Sequence, residues 1–143
     1  MLRLSARFAG PLLVLAALTF ASCRTADVPL DPLRGTSWRL VSLVEDGAAR
    51  TELPDDQLTF NATGQGVQVS TCNSCRGLYA VGDRTLEISQ LACTRRACEA
   101  DRLQLDRYLS GRSQWSVTGD QLTLTVHDEL NSIDAVLTFE RAE

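Results

Sequence analysis

The sequence predicts an α+β domain in which a curved, barrel-like antiparallel β-sheet packs against one amphipathic helix. Short runs of alternating apolar and polar residues fill most of the chain from Gly35 onward, and glycine-containing turns separate them. This period of two is typical of strands that turn one face to a core. Only one segment breaks the pattern, and a sheet with one helix against it is the simplest architecture that buries both.

The predicted strands follow one another at short spacing. In the clearest of them, Leu122, Leu124 and Val126 alternate with threonines. Polar stretches that contain glycine or proline are interpreted as the turns and loops between strands. The strands are predicted at residues 36–44, 57–60, 67–71, 77–81, 85–89, 114–117, 121–126 and 133–139.

The helix is predicted over residues 98–110. This segment lacks β-type alternation, and Leu105, Tyr108 and Leu109 recur at the i, i+3, i+4 spacing of an apolar helix face. Gly111 follows at the position where a helix C-cap is expected. We therefore expect about three turns of helix on one side of the sheet.

The first residues have the three parts of an export signal. Arg3 and Arg7 precede a short apolar run, and two small residues then lead to Cys23. The run is shorter than the ~20 apolar residues that cross a bilayer. A cysteine directly after small residues resembles a bacterial lipobox, in which the thiol receives diacylglycerol. This predicts a lipoprotein signal peptide at 1–22 and lipidation of Cys23; ordinary secretion, with Cys23 as a free thiol, is the alternative.

Residues 23–34 are predicted to form a flexible tether between the lipid and a domain that spans 35–143. They contain two prolines and few apolar side chains, which favours an extended chain. By resemblance to bacterial sorting rules, Arg24 after the cysteine favours the outer membrane. The predicted location is therefore the outer membrane, with the domain facing the periplasm and the lipid in contact with the membrane.

Composition and the titratable residues predict neither nucleic-acid binding nor catalysis. The chain has 14 basic and 18 acidic residues, a formal net charge of −4, which is not typical of nucleic-acid-binding proteins. His127 is the only histidine, and no nucleophile is placed near it by the sequence. The adjacent acids Asp55 and Asp56 lack the alternating pattern of a calcium loop. We predict no catalytic residue, no metal and no cofactor.

Four cysteines lie close together in the middle of the chain, at positions 72, 75, 93 and 98. In an exported protein an even set of neighbouring cysteines normally forms disulfides. Three connectivities are possible. The nested one, Cys72–Cys98 with Cys75–Cys93, is favoured because it would join the end of a strand to the start of the helix, and the other two remain open.

The same cysteines allow two other functions. Cys72 and Cys75 form a C-x-x-C motif, which predicts a periplasmic thiol–disulfide oxidoreductase if a helix begins there and lowers the pKa of a thiol. Residues 76–81 instead read as turn and strand. The spacing of all four also approaches that of a zinc ribbon, although export favours oxidation of the thiols over metal binding. These remain the rival hypotheses: an oxidoreductase or a metal-binding protein.

Several motifs, in order along the chain, resemble those of META/HslJ-like domains. Gly-Thr-Ser-Trp-Arg-Leu at 35–40 resembles their opening Gly-Thr-x-Trp-x-Leu strand. Residues 72–79 resemble Gly-Cys-Asn-x-x-x-Gly-x-Tyr from its cysteine onward, and residues 91–98 resemble Leu-Ala-x-Thr-Arg-x-x-Cys. The segments 120–124 and 137–139 resemble the closing strands, so the resemblance covers nearly the whole domain.

This resemblance has implications for the cysteines and for function. The family's cysteine pair falls on Cys72 and Cys98, with Cys75 and Cys93 additional and between them, which supports the nested pairing. Such proteins are typically small envelope proteins, often lipoproteins, without an assigned catalytic activity, and some are associated with heat shock or drug tolerance. The expected function is thus a non-enzymatic, lipid-anchored envelope protein whose disulfide-stabilised META-type domain acts through binding, with a protein or small molecule as its unidentified partner.

Overall fold

The computed structural model describes residues 31–99 and 102–143, and this part of the chain is mostly antiparallel β-structure. The predicted strands are all present. The elements are β1 Ser37–Glu45, β2 Ala48–Ala49, β3 Gln57–Phe60, β4 Gly66–Ser70, β5 Ser74–Val81, β6 Thr85–Ile88, β7 Ala92–Cys93, α1 Leu105–Leu109, β8 Gly111–Thr118, β9 Gln121–Asp128 and β10 Ile133–Arg141.

Eight of these strands close into a barrel. Their order around it is β1-β3-β4-β5-β6-β8-β9-β10, and β10 pairs back onto β1 along almost its whole length. All of these pairings are antiparallel. Full closure pairs the backbone N–H and C=O groups that would remain unpaired at the two edges of an open sheet. The two-residue strands β2 and β7 are additions, paired to β1 and β5.

The alternation in the sequence places the core inside this barrel. In β9 the predicted inward residues Leu122, Leu124 and Val126 are buried, and in β10 Leu137 and Phe139 are buried as well. The threonines between them lie on the other face, where they are partly or fully exposed. The predicted barrel-like antiparallel sheet is therefore confirmed, and the barrel is closed.

The predicted three-turn helix is reduced to a single turn, α1. Leu105, Tyr108 and Leu109 are buried as their spacing predicts. Gln104 provides no side-chain cap at the start, and Gly111, with φ +105°, takes a backbone conformation that suits glycine just after the end. None of the described residues before Leu105 is helical. No helix in the described part of the chain is long and apolar enough to cross a membrane.

The segment just before β1 belongs to the domain rather than to the tether. Residues 31–35 form a turn in which Leu33 is 0% exposed, and the Leu33 amide donates a hydrogen bond to the Asp31 carboxylate at 2.9 Å. Within the predicted tether, Leu33 is therefore packed into the core, while its neighbours Pro32 and Arg34 are exposed. The predicted signal peptide, Cys23 and the rest of the tether lie outside the described residues.

The barrel has two distinct ends, which follow from the strand directions. The N-terminal end is formed by the segments 31–36, 61–65, 82–84 and 118–120. The cysteine end is formed by the segments 46–56, 71–73, 89–99, 102–110 and 129–132. The cysteine end carries both disulfides and α1, and it holds the candidate site.

Candidate functional site

Two nested disulfides link the strands and loops of the cysteine end. The outer bridge joins Cys72, which follows β4, to Cys98, and the inner bridge joins Cys75 on β5 to Cys93 on β7. This is the connectivity that the sequence favours among the three possible ones. Cys72 and Cys75 thus have different partners, so the C-x-x-C motif is not arranged as a dithiol–disulfide pair.

The inner bridge is built into the sheet. Cys75 and Cys93 lie directly opposite each other in the β5–β7 ladder, and Cys75 is 1% exposed. The Thr94 amide donates to the Ser74 carbonyl at 3.0 Å, and the Ser74 amide donates to Thr94 Oγ1 at 3.1 Å. The bridge therefore fastens a two-residue strand that backbone pairing alone would hold weakly.

Asn73 fixes the loop between the two bridges. Its Oδ1 accepts hydrogen bonds from the Arg96 amide at 2.7 Å and from Thr94 Oγ1 at 3.1 Å. Its Nδ2 lies 3.3 Å from Cys98 Sγ, within hydrogen-bonding distance of sulfur. One side chain thus ties the Cys-Asn motif to the Thr-Arg-x-x-Cys motif. This gives the two sequence motifs a structural role: together they close one end of the barrel.

An ion pair between a fully buried carboxylate and a partly exposed arginine lies at the same end of the barrel, and the sequence does not reveal it. Asp56 is 0% exposed, and its Oδ1 accepts a bond from Arg102 Nη2 at 3.1 Å. Asp56 Oδ2 and Arg102 Nε are buried without a hydrogen-bond partner among the described residues. Burial raises the pKa of Asp56, and neighbouring Asp55 raises it further, while Arg102 opposes both.

Asp56 also receives structural support from its backbone. Its carbonyl accepts a hydrogen bond from the Leu40 amide at 3.0 Å, and its own amide donates to the Pro54 carbonyl at 2.8 Å. The sequence analysis identifies Asp55 and Asp56 only as adjacent acids in a polar loop. Only the tertiary contact with β1 turns the second of them inward.

Two tyrosines anchor neighbouring segments through carboxylates. Tyr79 donates its hydroxyl proton to Asp31 at 2.6 Å, and Tyr108 of α1 donates to Glu45 at 2.8 Å. Burial, reinforced by the hydrogen bond to Asp31, raises the pKa of Tyr79 to about 12. The same two causes, with Glu45 as the acceptor, raise the pKa of Tyr108. Both hydroxyls therefore stay protonated at physiological pH and act as donors that fix the fold.

A cavity of about 360 Å³ opens beside the outer bridge. The two bridges, Asn73 and Leu103 form part of its wall, together with two arginines and two acids: Arg96, Arg102, Glu99 and Asp106. The wall is mainly polar and carries both signs of charge.

The described part of the chain contains no cluster of side chains that could hold a metal ion. Groups of three or more His, Cys, Asp or Glu side chains that could hold an ion are absent from residues 31–99 and 102–143. The four domain cysteines are bridged, so none of them offers a thiolate. His127 lies on β9, exposed, with Nε2 3.8 Å from Glu129. The half-buried Trp115 uses its indole N–H on the Gly82 carbonyl at 3.1 Å.

The fold and the cysteine end together define a class of small antiparallel β-barrel domains crosslinked by disulfides. Within that class the chain belongs to the META domain family, whose model matches residues 31–143. The match begins at Asp31, where the turn that buries Leu33 also begins. Family membership points to a non-catalytic domain.

Two solved structures have the same fold. The NMR structure of a protein from Burkholderia xenovorans is 26% identical in sequence, with a TM-score of 0.61, and the match covers 77% of this chain and 83% of that one. A second NMR structure is 22% identical, with a TM-score of 0.55, and covers 76% of this chain and 90% of its own. The second likeness concerns the fold alone. No curated protein matches the sequence.

Proposed function

We propose that this protein is a non-enzymatic, lipid-anchored envelope protein whose disulfide-stabilised META domain acts by binding. The two bridges are the observation that carries the proposal. Structural disulfides persist in oxidising compartments such as the bacterial periplasm. The leader with Cys23 at its end supports export by an independent route, because it depends on a different part of the chain.

The anchor would orient the domain. The described domain begins at Asp31, and residues 23–30 can span at most about 28 Å even when fully extended. Because residues 31–36 lie at the N-terminal end of the barrel, that end would face the lipid surface. The cysteine end, with its cavity and its mixed charges, would face away into the periplasm. A periplasmic partner would then meet the cysteine end first.

Mass spectrometry of the processed protein tests the anchor. We expect a mature N-terminus at Cys23 that carries diacylglycerol, and we expect Cys23→Ser to abolish lipidation and membrane attachment. An unmodified, soluble mature form of the wild-type protein would refute the lipoprotein proposal. The domain itself should fold in both cases, which circular dichroism of the two forms would check.

Sorting can be tested with one further substitution. If Arg24 directs the lipoprotein to the outer membrane, Arg24→Asp should retain it in the inner membrane, whereas the control Arg24→Ser should leave the distribution unchanged. Density-gradient separation of the two membranes measures this. An Arg24→Asp protein that still reaches the outer membrane would contradict the proposed location.

A role in envelope stress or drug tolerance would be exercised through a bound partner. The cavity beside the outer bridge is the proposed contact point, since it is polar, carries both charges and lies at the end away from the anchor. Crosslinking from Glu99 at the cavity mouth, compared with crosslinking from Asp120 at the opposite end, would test this in intact cells. Equal capture at both positions would contradict a binding site at the cysteine end.

A further inference from the structure

The two disulfides have the same chemistry but very different surroundings. Cys98 of the outer bridge is exposed and Cys72 is half-buried. Cys75 of the inner bridge is 1% exposed, and Cys93 packs against the hydrophobic core. Thiol–disulfide exchange requires the attacking thiolate to reach a sulfur atom, so access controls its rate. Both bridges line the same cavity, but the outer bridge has the exposed cysteine and the inner bridge has the fully buried one, so the outer bridge is the more accessible of the two.

We propose that the outer bridge, Cys72–Cys98, is a thiol–disulfide exchange site for a protein dithiol of the Cys-X-X-Cys class, while the inner bridge stays closed. The protein is then the substrate of a reductant, and no pair within its own C-x-x-C motif acts as the redox couple. The exchange itself does not depend on the lipid anchor, and its effect on the cavity rests on the proposed binding role.

The exchange is a two-electron reduction in which the partner supplies both electrons. The partner's thiolate attacks one sulfur of the bridge, the S–S bond breaks, and the other sulfur leaves as a thiolate that takes up a proton. The partner's second thiol then attacks the mixed disulfide and releases the first sulfur as a thiol. The partner ends as a disulfide, and Cys72 and Cys98 end as two thiols.

The surroundings of Cys98 make it the better leaving sulfur. Asn73 Nδ2 lies 3.3 Å from Cys98 Sγ and can donate a hydrogen bond to a developing thiolate. Arg96, on the wall of the same cavity, adds a positive charge nearby. Each would stabilise a thiolate on Cys98, and a more stable thiolate is the better leaving group. Since Cys98 is the better leaving sulfur, the attack falls on Cys72, which lines the same cavity although it is less exposed than Cys98.

Opening the outer bridge would loosen a short loop without unfolding the barrel. Residues 94–98 are fastened covalently at Cys93 and at Cys98, so exchange removes one of the two ties. The bonds from Asn73 to the loop and the β5–β7 ladder remain. Because Cys72, Cys98 and Arg96 line the cavity, its wall changes with the redox state. Reduction and reoxidation of the bridge would thus reversibly change the wall of the proposed binding site.

Timed reduction of the processed wild-type protein tests this proposal. The protein is incubated with dithiothreitol without denaturant, thiols are trapped with iodoacetamide at intervals, and each cysteine is quantified by peptide mass spectrometry. We expect Cys72 and Cys98 to be alkylated in step, roughly tenfold or more faster than the inner pair. Amide hydrogen exchange should rise at 94–98 and stay unchanged in β9 and β10. Parallel labelling of all four cysteines, or none without denaturant, would overturn the proposal.

Two further experiments assign the individual sulfurs. A Cys-X-X-Cys protein that lacks its second cysteine should be trapped as a mixed disulfide on Cys72; attachment to Cys98 would overturn the assignment of the leaving sulfur.

The variant Cys75→Ala/Cys93→Ala should keep a reducible outer bridge, and Cys72→Ala/Cys98→Ala should keep an inner bridge that resists reduction. Rapid reduction of the inner bridge in the second variant would contradict shielding by the barrel.

Discussion

Leu33 and Leu130 are the same side chain in opposite environments, and they test where the domain begins. Leu33 is 0% exposed in the turn before β1, whereas Leu130 is 97% exposed in the β9–β10 turn. Leu33→Ala removes buried methyl groups and should lower the free energy of unfolding by about 2–4 kcal/mol. Leu130→Ala should change it by less than about 0.5 kcal/mol. Urea unfolding followed by tryptophan fluorescence measures both variants. Equal free energies of unfolding for the two variants would show that residues 31–34 belong to the tether and not to the folded domain.

Asp56 gives the stability of the domain a pH dependence with a definite sign. Burial raises its pKa in the folded state above the ordinary 3.8, despite the opposing effect of Arg102. The folded state therefore binds the proton more tightly than the unfolded state does. The contribution of Asp56 to stability is then greatest below pH 3.8 and falls as the pH rises through the folded-state pKa.

Asp56→Asn keeps a neutral side chain at every pH and serves as the reference for this effect. Relative to the wild type, the variant should become progressively more stable as the pH rises from 4 to 7. Urea unfolding at a series of pH values measures the difference. The opposite trend would mean that the attraction of Arg102 outweighs the burial of the carboxylate.

The residues of the site differ in how far sequence predicts them. Cys72 and Cys98 lie in recognisable motifs, and the resemblance that those motifs carry favours their pairing without excluding the other connectivities. Asp56 stands beside Asp55 in a polar loop, and nothing local distinguishes the two. The burial of Asp56 depends on a hydrogen bond from Leu40 and an ion pair with Arg102, both distant in sequence. Contacts of this kind cannot be predicted from local pattern.

At the level of elements, the single-turn helix also shows that local sequence pattern cannot predict features that depend on distant contacts. The apolar spacing of Leu105, Tyr108 and Leu109 predicts correctly which side chains are buried. The length of the helix is decided by other contacts: Cys98 is tied covalently to Cys72, and Arg102 is tied to Asp56. Both contacts hold described residues that lie outside the helix. The strands, whose period of two is local, are predicted almost completely.

The two bridges should contribute differently to stability. Removing the outer one with Cys72→Ala/Cys98→Ala should lower the free energy of unfolding by roughly 3 kcal/mol, mainly by relaxing the unfolded chain. Removing the inner one with Cys75→Ala/Cys93→Ala should cost more, because it also leaves a gap where Cys75 was buried.

Urea unfolding of the two variants beside the wild type measures both losses. The comparison is matched, since each variant exchanges two cysteines for two alanines. A larger loss from the outer pair would show that the packing around Cys75 contributes little.

At the scale of the whole molecule, the protein is a closed barrel that carries both disulfides and α1 at its cysteine end. Closure of β10 onto β1 leaves the eight barrel strands without a free edge, which removes the usual template for edge-to-edge aggregation. The irregular segments are gathered at the cysteine end, where they can vary without disturbing the barrel. Alternation along the strands predicts this architecture, because every strand has one face in a common core.

Both termini of the domain leave the barrel from the same side. The Ala142 amide donates to the Ser37 carbonyl at 2.8 Å, and the turn at 31–35 lies immediately before Ser37. A short linker could therefore join Ala142 to Asp31, and the chain could be reopened at the exposed turn around Leu130. Such a circular permutant would keep every strand pairing, and its new termini would lie at the cysteine end. A membrane anchor attached there would hold the cysteine end, instead of the N-terminal end, next to the lipid.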